Sequence, residues 1–367
     1  MGRLALLLSL VVCSTACADP APAPARSELS SRVEQQVERS VSAPTAAPAP
    51  AAAAAPPAEE EITITVSAIG DCAIGDLRRG GGAPGSFRAR LAEVDDPTGY
   101  PFSGVAEVLR ADDLTIANLE GTLTEHQGYA NDVFAIRGKP EYAQMLVRGG
   151  IDLVNIENNH AHDYGPVGHA DTKAALTAAG VPYFGGKHVD RREVEGVRIV
   201  NLGYLGGPAG TREKMERDVE RERPDADLLI VSFHWGVEGW SVTHPDQIRL
   251  GRAAVDAGAD LVLGHHPHRL QGIEAYRDRH IVYSLGNFVF GANSQPEDTD
   301  SVIAQERFTL RDGKLLRTEQ RLLPASISSD PRVNDFRPML LEGSEARRVL
   351  DKIQSLSLAL EPKGRDS

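Results

Sequence analysis

Three of the chain's 11 histidines fall in one short run, Gly264-His265-His266-Pro267-His268, directly after the apolar stretch Leu261-Val262-Leu263. A hydrophobic run ended by Gly reads as a buried strand delivering a turn, and Pro267 stiffens that turn. His266 and His268 stand two apart, so an extended backbone points both rings to one side. Neutral imidazoles held that close suit a borderline metal such as zinc, manganese or iron. The plainer reading is a polar loop. Four other segments weigh against it, because each follows an apolar stretch with acid, amide or imidazole groups: Gly70-Asp71, Asn118-Leu119-Glu120, Asn158-Asn159-His160 and His234-Trp235-Gly236. Each has an ordinary role on its own, such as a turn, a cap or a core histidine. Together they supply what two neighbouring metal ions need, namely a bridging carboxylate, neutral nitrogen ligands and room for water.

Strands and helices alternate around these segments. Ile62 to Ile69, Leu114 to Ala117, Ile151 to Ile156, Val197 to Leu202, Asp227 to Phe233, the His-bearing run and Ile281 to Ser284 read as strands. Val105 to Arg110, Tyr142 to Arg148, His169 to Ala179 and Pro245 to Ala257 read as helices, and the charged stretch Arg212 to Arg223 as a solvated one. Such alternation predicts an α/β fold with helices covering a sheet, in which ligands bind beyond the carboxyl ends of strands. Every polar cluster falls at such an end.

Composition sets outer limits. The chain has 367 residues, 41% hydrophobic and 25% charged, which is ordinary for a globular protein. A formal net charge of -13 argues against nonspecific binding to nucleic acid, so no nucleic-acid partner is expected. It does not exclude an anionic substrate, because bound cations invert the local field. Residues 1–17 have the anatomy of an export signal: a basic start at Arg3, a short apolar core from Leu4 to Val12, then small residues leading to Cys17. Lipidation of Cys17, ordinary cleavage near Ala16 or Ala18, and an uncleaved anchor all place the protein outside the cytoplasm. Residues 18–60 are Ala- and Pro-rich and read as a disordered, extended spacer. Residues 61–330 read as the globular domain, and 331–367 as a C-terminal extension with a helix. Of three cysteines, only Cys72 lies in the domain, where it is expected to point into the core.

The ordered motifs also resemble a known family. Gly70-Asp71, Asn118-Leu119-Glu120-Gly121, Asn158-Asn159-His160 with Asp163-Tyr164-Gly165, His234-Trp235-Gly236-Val237-Glu238, the histidine run and Tyr283-Ser284-Leu285-Gly286-Asn287-Phe288 look like the CapA family. These are capsule or poly-γ-glutamate synthesis proteins, similar in fold to calcineurin-like metallophosphoesterases. The resemblance covers roughly residues 62–324. It implies a four-layer α/β/β/α metallophosphoesterase-like sandwich around a site for two divalent ions, manganese, zinc or iron. Carried over, Asp71 and His268 would bind one metal, Glu120 would bridge, and Asn159, His234 and His266 would bind the second. His160 would face the substrate as the catalytic acid.

Asn118, His162, Asp163, Glu238, His265 and Asn287 are expected around this set or against substrate. His162 and Asp163 either orient His160 or cap the following helix, and Asn287 either lines the mouth or holds the loop of His268. His126, His188 and His280 read as surface residues, and His244-Pro245 as a helix start. The pattern departs from phosphoesterases in two places: Ala73 stands where they carry a second histidine, and Glu120 where they carry an Asp bridge. Both departures are shared by the CapA family. Asp76 stands where that family commonly has a basic residue.

The expectation is an extracytoplasmic protein, lipid-anchored at the cell envelope, that acts in the biosynthesis, attachment or release of an anionic surface polymer. Metal-assisted hydrolysis or transfer is the expected chemistry. The expected partners are that polymer or its precursor, membrane synthase subunits, and the membrane through the lipid anchor. The alternatives are a noncatalytic scaffold for a synthase complex and an exported metallophosphoesterase.

Overall fold

The computed structural model describes residues 61–128 and 134–360. The signal, Cys17 and the spacer lie outside the described residues.

Two sheets face each other. The first runs in the order Met339–Leu340, Lys314–Ser326, Asp300–Arg311, Glu61–Ala73, Leu114–Leu119, Leu153–Asn155 and Tyr183–Phe184, with Asn287–Phe290 also pairing on Glu61–Ala73. The second runs Ile273–Tyr276, Arg279–Val282, Leu261–His265, Leu228–His234, Val197–Leu205 and Asp190–Val194. Strands with apolar residues on both faces must be covered on both faces, and these are. Ile64, Val66, Ile116 and Leu153 of the first sheet interdigitate with Ile199, Ile230, Leu263 and Val282 of the second. The outer face of the first sheet packs under Phe87, Leu109, Leu146 and Leu176, which lie on helices. The outer face of the second packs under Met215, Val219 and Ala254. Helix, sheet, sheet, helix is the four-layer α/β/β/α sandwich that the family resemblance implies.

Within each sheet the central strands are parallel, so their carboxyl ends collect at one edge. Helix Gly165–Ala179 closes on Gly180 at φ 75°, and helix Pro245–Ala257 is capped by His244, both as expected. Cys72 is buried in the outer core of the first sheet. Burial pushes its thiol up to about 12, so it stays neutral. The helix expected beyond residue 330 is Gly343–Leu358. It is built into the body of the fold: Val349 and Ile353 join the core between the sheets, and Arg348 and Lys352 pair with Asp300 at 2.7 and 2.9 Å.

Candidate metal centre

Four side chains stand in one row across the carboxyl edge of the first sheet. Asn287, Asp71, Asn118 and Asn155 are register partners on adjacent parallel strands. Gly70 makes this row possible, because a Cβ there would meet the Gly286 carbonyl oxygen at 2.1 Å. On the second sheet His234 pairs with His265. The strand of the histidine run extends one residue past Gly264, whose own Cβ would strike the Tyr283 carbonyl oxygen at 2.1 Å.

The turn after His265 differs from the extended backbone expected of it. His266 has φ 94° and His268 φ 56°, both in the left-handed region that non-glycine residues avoid. Such positions cost about 1–3 kcal/mol each and persist where surrounding contacts over-determine them. Here the His266 N–H donates to Asp71 Oδ2 at 3.1 Å, and the Pro267 carbonyl accepts from Gly239 N–H at 2.9 Å. The two rings still come together, with centroids 5.9 Å apart, through a bent turn and not a straight strand.

Glu120 is the centre of the cluster. Its Oε1 lies 3.5 Å from His234 Nε2, 3.7 Å from His268 Nε2 and 3.9 Å from His160 Nε2. Both of its oxygens are buried, and neither accepts a hydrogen bond among the described residues. Asp71 meets His268 Nδ1 at 3.2 Å and His265 Nδ1 at 3.4 Å, and accepts from Asn118 Nδ2 at 2.9 Å. Asn159 Oδ1 lies 2.6 Å from His234 Nε2. Two overlapping groups, Asp71 with Glu120 and His234, and Glu120 with His266 and His268, bring ligand atoms within 4.8 Å of one another. These groups could hold metal.

The electrostatics fit a cation. A buried carboxylate with no donor costs several kcal/mol unless a positive charge offsets it. Burial pushes the Glu120 carboxyl up to about 8, against the pull of the His268 charge. For His268 burial works downward, yet the charges of Glu120 and Asp71 hold its imidazole at about 10. Burial would raise Asp71, but its hydrogen bonds to His265 and His268 keep it well below the usual carboxylate range. Burial keeps His234 far below its ordinary value, and His266 is lowered the same way. Those two rings are therefore neutral, the form in which imidazole ligates a metal. Carboxylate oxygen, amide oxygen and imidazole nitrogen together form a donor set for a divalent transition ion.

All six residues expected as ligands meet here, as does His160. The His160 ring is held by Asp163, whose Oδ2 lies 2.7 Å from Nδ1 and also accepts the Ile136 N–H at 2.7 Å. Asn287 holds His268, with Oδ1 2.8 Å from Nδ1. His265 is buried behind Asp71. Glu238 is exposed on the following loop, and its charge adds to the rise of His268. His162 does not join this set: its ring lies tilted against His169 at a centroid distance of 4.2 Å, and both line another cleft. Asp76 is buried against Arg88, 3.9 Å away. His280 is half-buried with Nδ1 2.9 Å from Glu306, so it is not a plain surface residue.

Sequence reasoning missed Asn155 and the role of Asn158. Asn155 Nδ2 donates to Asn118 Oδ1 at 3.0 Å, which turns the Asn118 amide toward Asp71. Asn158 Nδ2 donates to the Leu119 carbonyl at 2.9 Å, and its Oδ1 accepts the His160 N–H at 3.1 Å. The signal was present: Asn155 ends its strand as Asn118 nearly ends its own.

Residues 65–292 match the family described as bacterial capsule synthesis protein PGA_cap. The chain belongs to the PGA_cap family. That match spans every residue of the centre, from Asp71 to Asn287. Over 244 residues, 59% of this chain and 59% of the relative, it is 34% identical to the capsule biosynthesis protein CapA of Bacillus anthracis. Over 213 residues, 52% of this chain and 56% of the relative, it is 34% identical to the PGA biosynthesis protein CapA of Bacillus subtilis strain 168. The chain thus spans less than two thirds of the length of these PGA_cap relatives. Among solved structures, 5'-nucleotidase from Candida albicans aligns with a TM-score of 0.40 and 11% identity, covering 80% of this chain and 56% of that one.

Proposed function

We propose that this PGA_cap protein is a metal-dependent hydrolase or transferase acting in the making, attachment or release of an anionic capsule polymer such as poly-γ-glutamate. The observation that carries the reading is the buried, donorless Glu120 carboxylate ringed by His160, His234 and His268. The names of the curated relatives point to capsule and PGA biosynthesis, and the donor set points to metal.

Asp71, Glu120, Asn159, His234, His266 and His268 would hold two divalent ions of manganese, zinc or iron. Bound ions supply positive charge that polarises an amide or phosphoester bond and lowers the pKa of water. The chain supplies the rest. His160 is held above its ordinary pKa: burial works downward, but the hydrogen bond to Asp163 and the charge of Glu120 outweigh it. Its Nδ1 is engaged by Asp163, so Nε2 is the nitrogen that carries a proton toward the site. A proton held there near neutral pH can pass to the leaving nitrogen or oxygen. Asn118 and Asn287 orient Asp71 and His268.

Elemental analysis of the purified protein, paired with a panel of γ-glutamyl oligopeptides and phosphodiesters, tests the reading. Bound transition metal with turnover of the γ-glutamyl substrates is expected. Absence of metal after manganese and zinc are supplied would overturn the centre. Metal without turnover, together with polymer production unaffected by His160→Asn, would replace the enzyme with a noncatalytic scaffold. The same reading places the protein at the envelope on a lipid at Cys17. Cys17→Ser is then expected to release it from membranes or leave its signal uncleaved, and unchanged processing and fractionation would remove the anchor.

A further inference from the structure

The loop that carries Asn158, Asn159 and His160 into the metal centre turns its other side chains into a second cleft. Glu157 and His162 line a cavity of about 600 Å³ with His169, Lys173, Lys187 and His188. Glu157 and Asn159 are two residues apart, so centre and cleft are separated by only about 7 Å of backbone. The walls carry paired rings, His162 tilted against His169 with centroids 4.2 Å apart and His188 against Tyr183 at 4.6 Å. The floor is opened by glycine. A Cβ at Gly185 (φ 132°) would meet Glu157 Cβ at 2.7 Å, and one at Gly186 (φ 63°) would meet Glu157 Oε2 at 2.5 Å.

The charges in this cleft run against those of the whole chain. Lys173 and Lys187 have no acidic partner among the described residues. Neighbouring Lys214 is already engaged, donating to Asp218 at 2.7 Å and to the Gly186 carbonyl at 2.9 Å. Two ammonium groups and three imidazoles therefore face one carboxylate, in a protein of net charge -13. Among the described residues, both groups whose ligand atoms lie within 4.8 Å of one another belong to the other centre.

We infer that the cleft is a subsite for an acidic polyamide chain, holding the residue next to the one at the metal centre. The ammonium groups of Lys173 and Lys187 and the ring N–H groups of His162 and His188 take its carboxylates, while the His169 Nδ1–H is engaged by the Ala161 carbonyl at 3.2 Å. Glu157 accepts an amide N–H of its backbone, a donor that a polyphosphate does not offer. The inference rests on the acidic-polymer reading above and adds where the polymer lies.

The test is binding, measured by titration calorimetry on the metal-loaded full chain. The probes are γ-linked glutamate oligomers of increasing length, with oligogalacturonate and polyphosphate as the other polyanions. The double variant Lys173→Gln/Lys187→Gln is expected to bind the glutamate oligomers roughly tenfold or more weakly, with unchanged metal content. Equal binding by variant and wild type overturns the subsite. If wild type ignores the glutamate oligomers but binds another polyanion, and the variant weakens that binding, the polyamide occupant and the proposed polymer both fall while the anionic subsite stands. No binding of any probe by wild type overturns the subsite, and metal analysis then judges the centre on its own.

Discussion

At the metal centre His234 is buried, and His266 and His268 are largely so, against Asp71 and Glu120, whereas His162, His169 and His188 line an open cleft beside two lysines. The residue type is the same in both places. What differs is the partner and the access of water. In the first cluster two buried carboxylates create a deficit of positive charge, which neutral rings then help a cation to fill. In the second, unpaired ammonium groups create the opposite deficit. Histidine counts alone would not separate a cation site from an anion site.

His266→Ala is the largest blow to this division. It removes a neutral ligand and leaves no new buried charge, so the fold should survive on its apolar layers. Elemental analysis is expected to show lost metal, and turnover should drop to background while circular dichroism stays native. A full metal complement in this variant would mean that the buried cluster is not the cation site.

His160→Asn sharpens the boundary from the other side. Metal should remain near wild type while turnover falls roughly 10²- to 10⁴-fold, with a smaller loss for substrates whose leaving group needs little protonation. Loss of metal would make His160 a ligand and extend the cation site along the loop.

Asn118→Ala probes the support behind the carboxylates. The variant removes the 2.9 Å donor to Asp71 Oδ1 and the 3.0 Å acceptor of Asn155 Nδ2. Metal affinity, followed by competition with a chelator, is expected to weaken about 10- to 100-fold. An unchanged affinity would show that the polar row across the first sheet does not orient Asp71.

His169→Gln should give the smallest effect, and it belongs to the cleft. Burial, then the charges of His162 and Lys173, hold this imidazole below its ordinary value. The unfolded chain therefore binds the proton more readily, so the stability His169 supports is present above the ordinary value and lost as pH falls through the folded one. Denaturant midpoints measured from about pH 7 to about pH 5 should fall less steeply in the variant. An identical slope would mean that His169 takes up its proton alike in the folded and unfolded chain.

Much of the centre was legible because parallel strands must end together. Asp71, Glu120, Asn159, His234, His266 and His268 stood among the polar strand ends, the family resemblance singled them out as ligands, and the structure brings those six side chains into one cluster. The long hairpin of Asp300–Arg311 and Lys314–Ser326 was not legible. Its second strand mixes Arg317, Glu319, Gln320 and Arg321 into a half-exposed face that reads as loop. Asn155 escaped notice because the strand was expected to run on to Ile156, whereas it ends at Asn155.

The sequence by itself determined which groups gather at the carboxyl edge, because apolar runs of strand length followed by polar residues leave few other arrangements. Where each ring points was decided only by the tertiary structure. The left-handed turn at His266 and His268 is held by Asp71, 195 residues away in the chain. His160 is turned inward by Asp163, while His162, two residues on, is drawn outward by His169. Direction depends on backbone angles and distant contacts, and neither is written in the local spacing of residues.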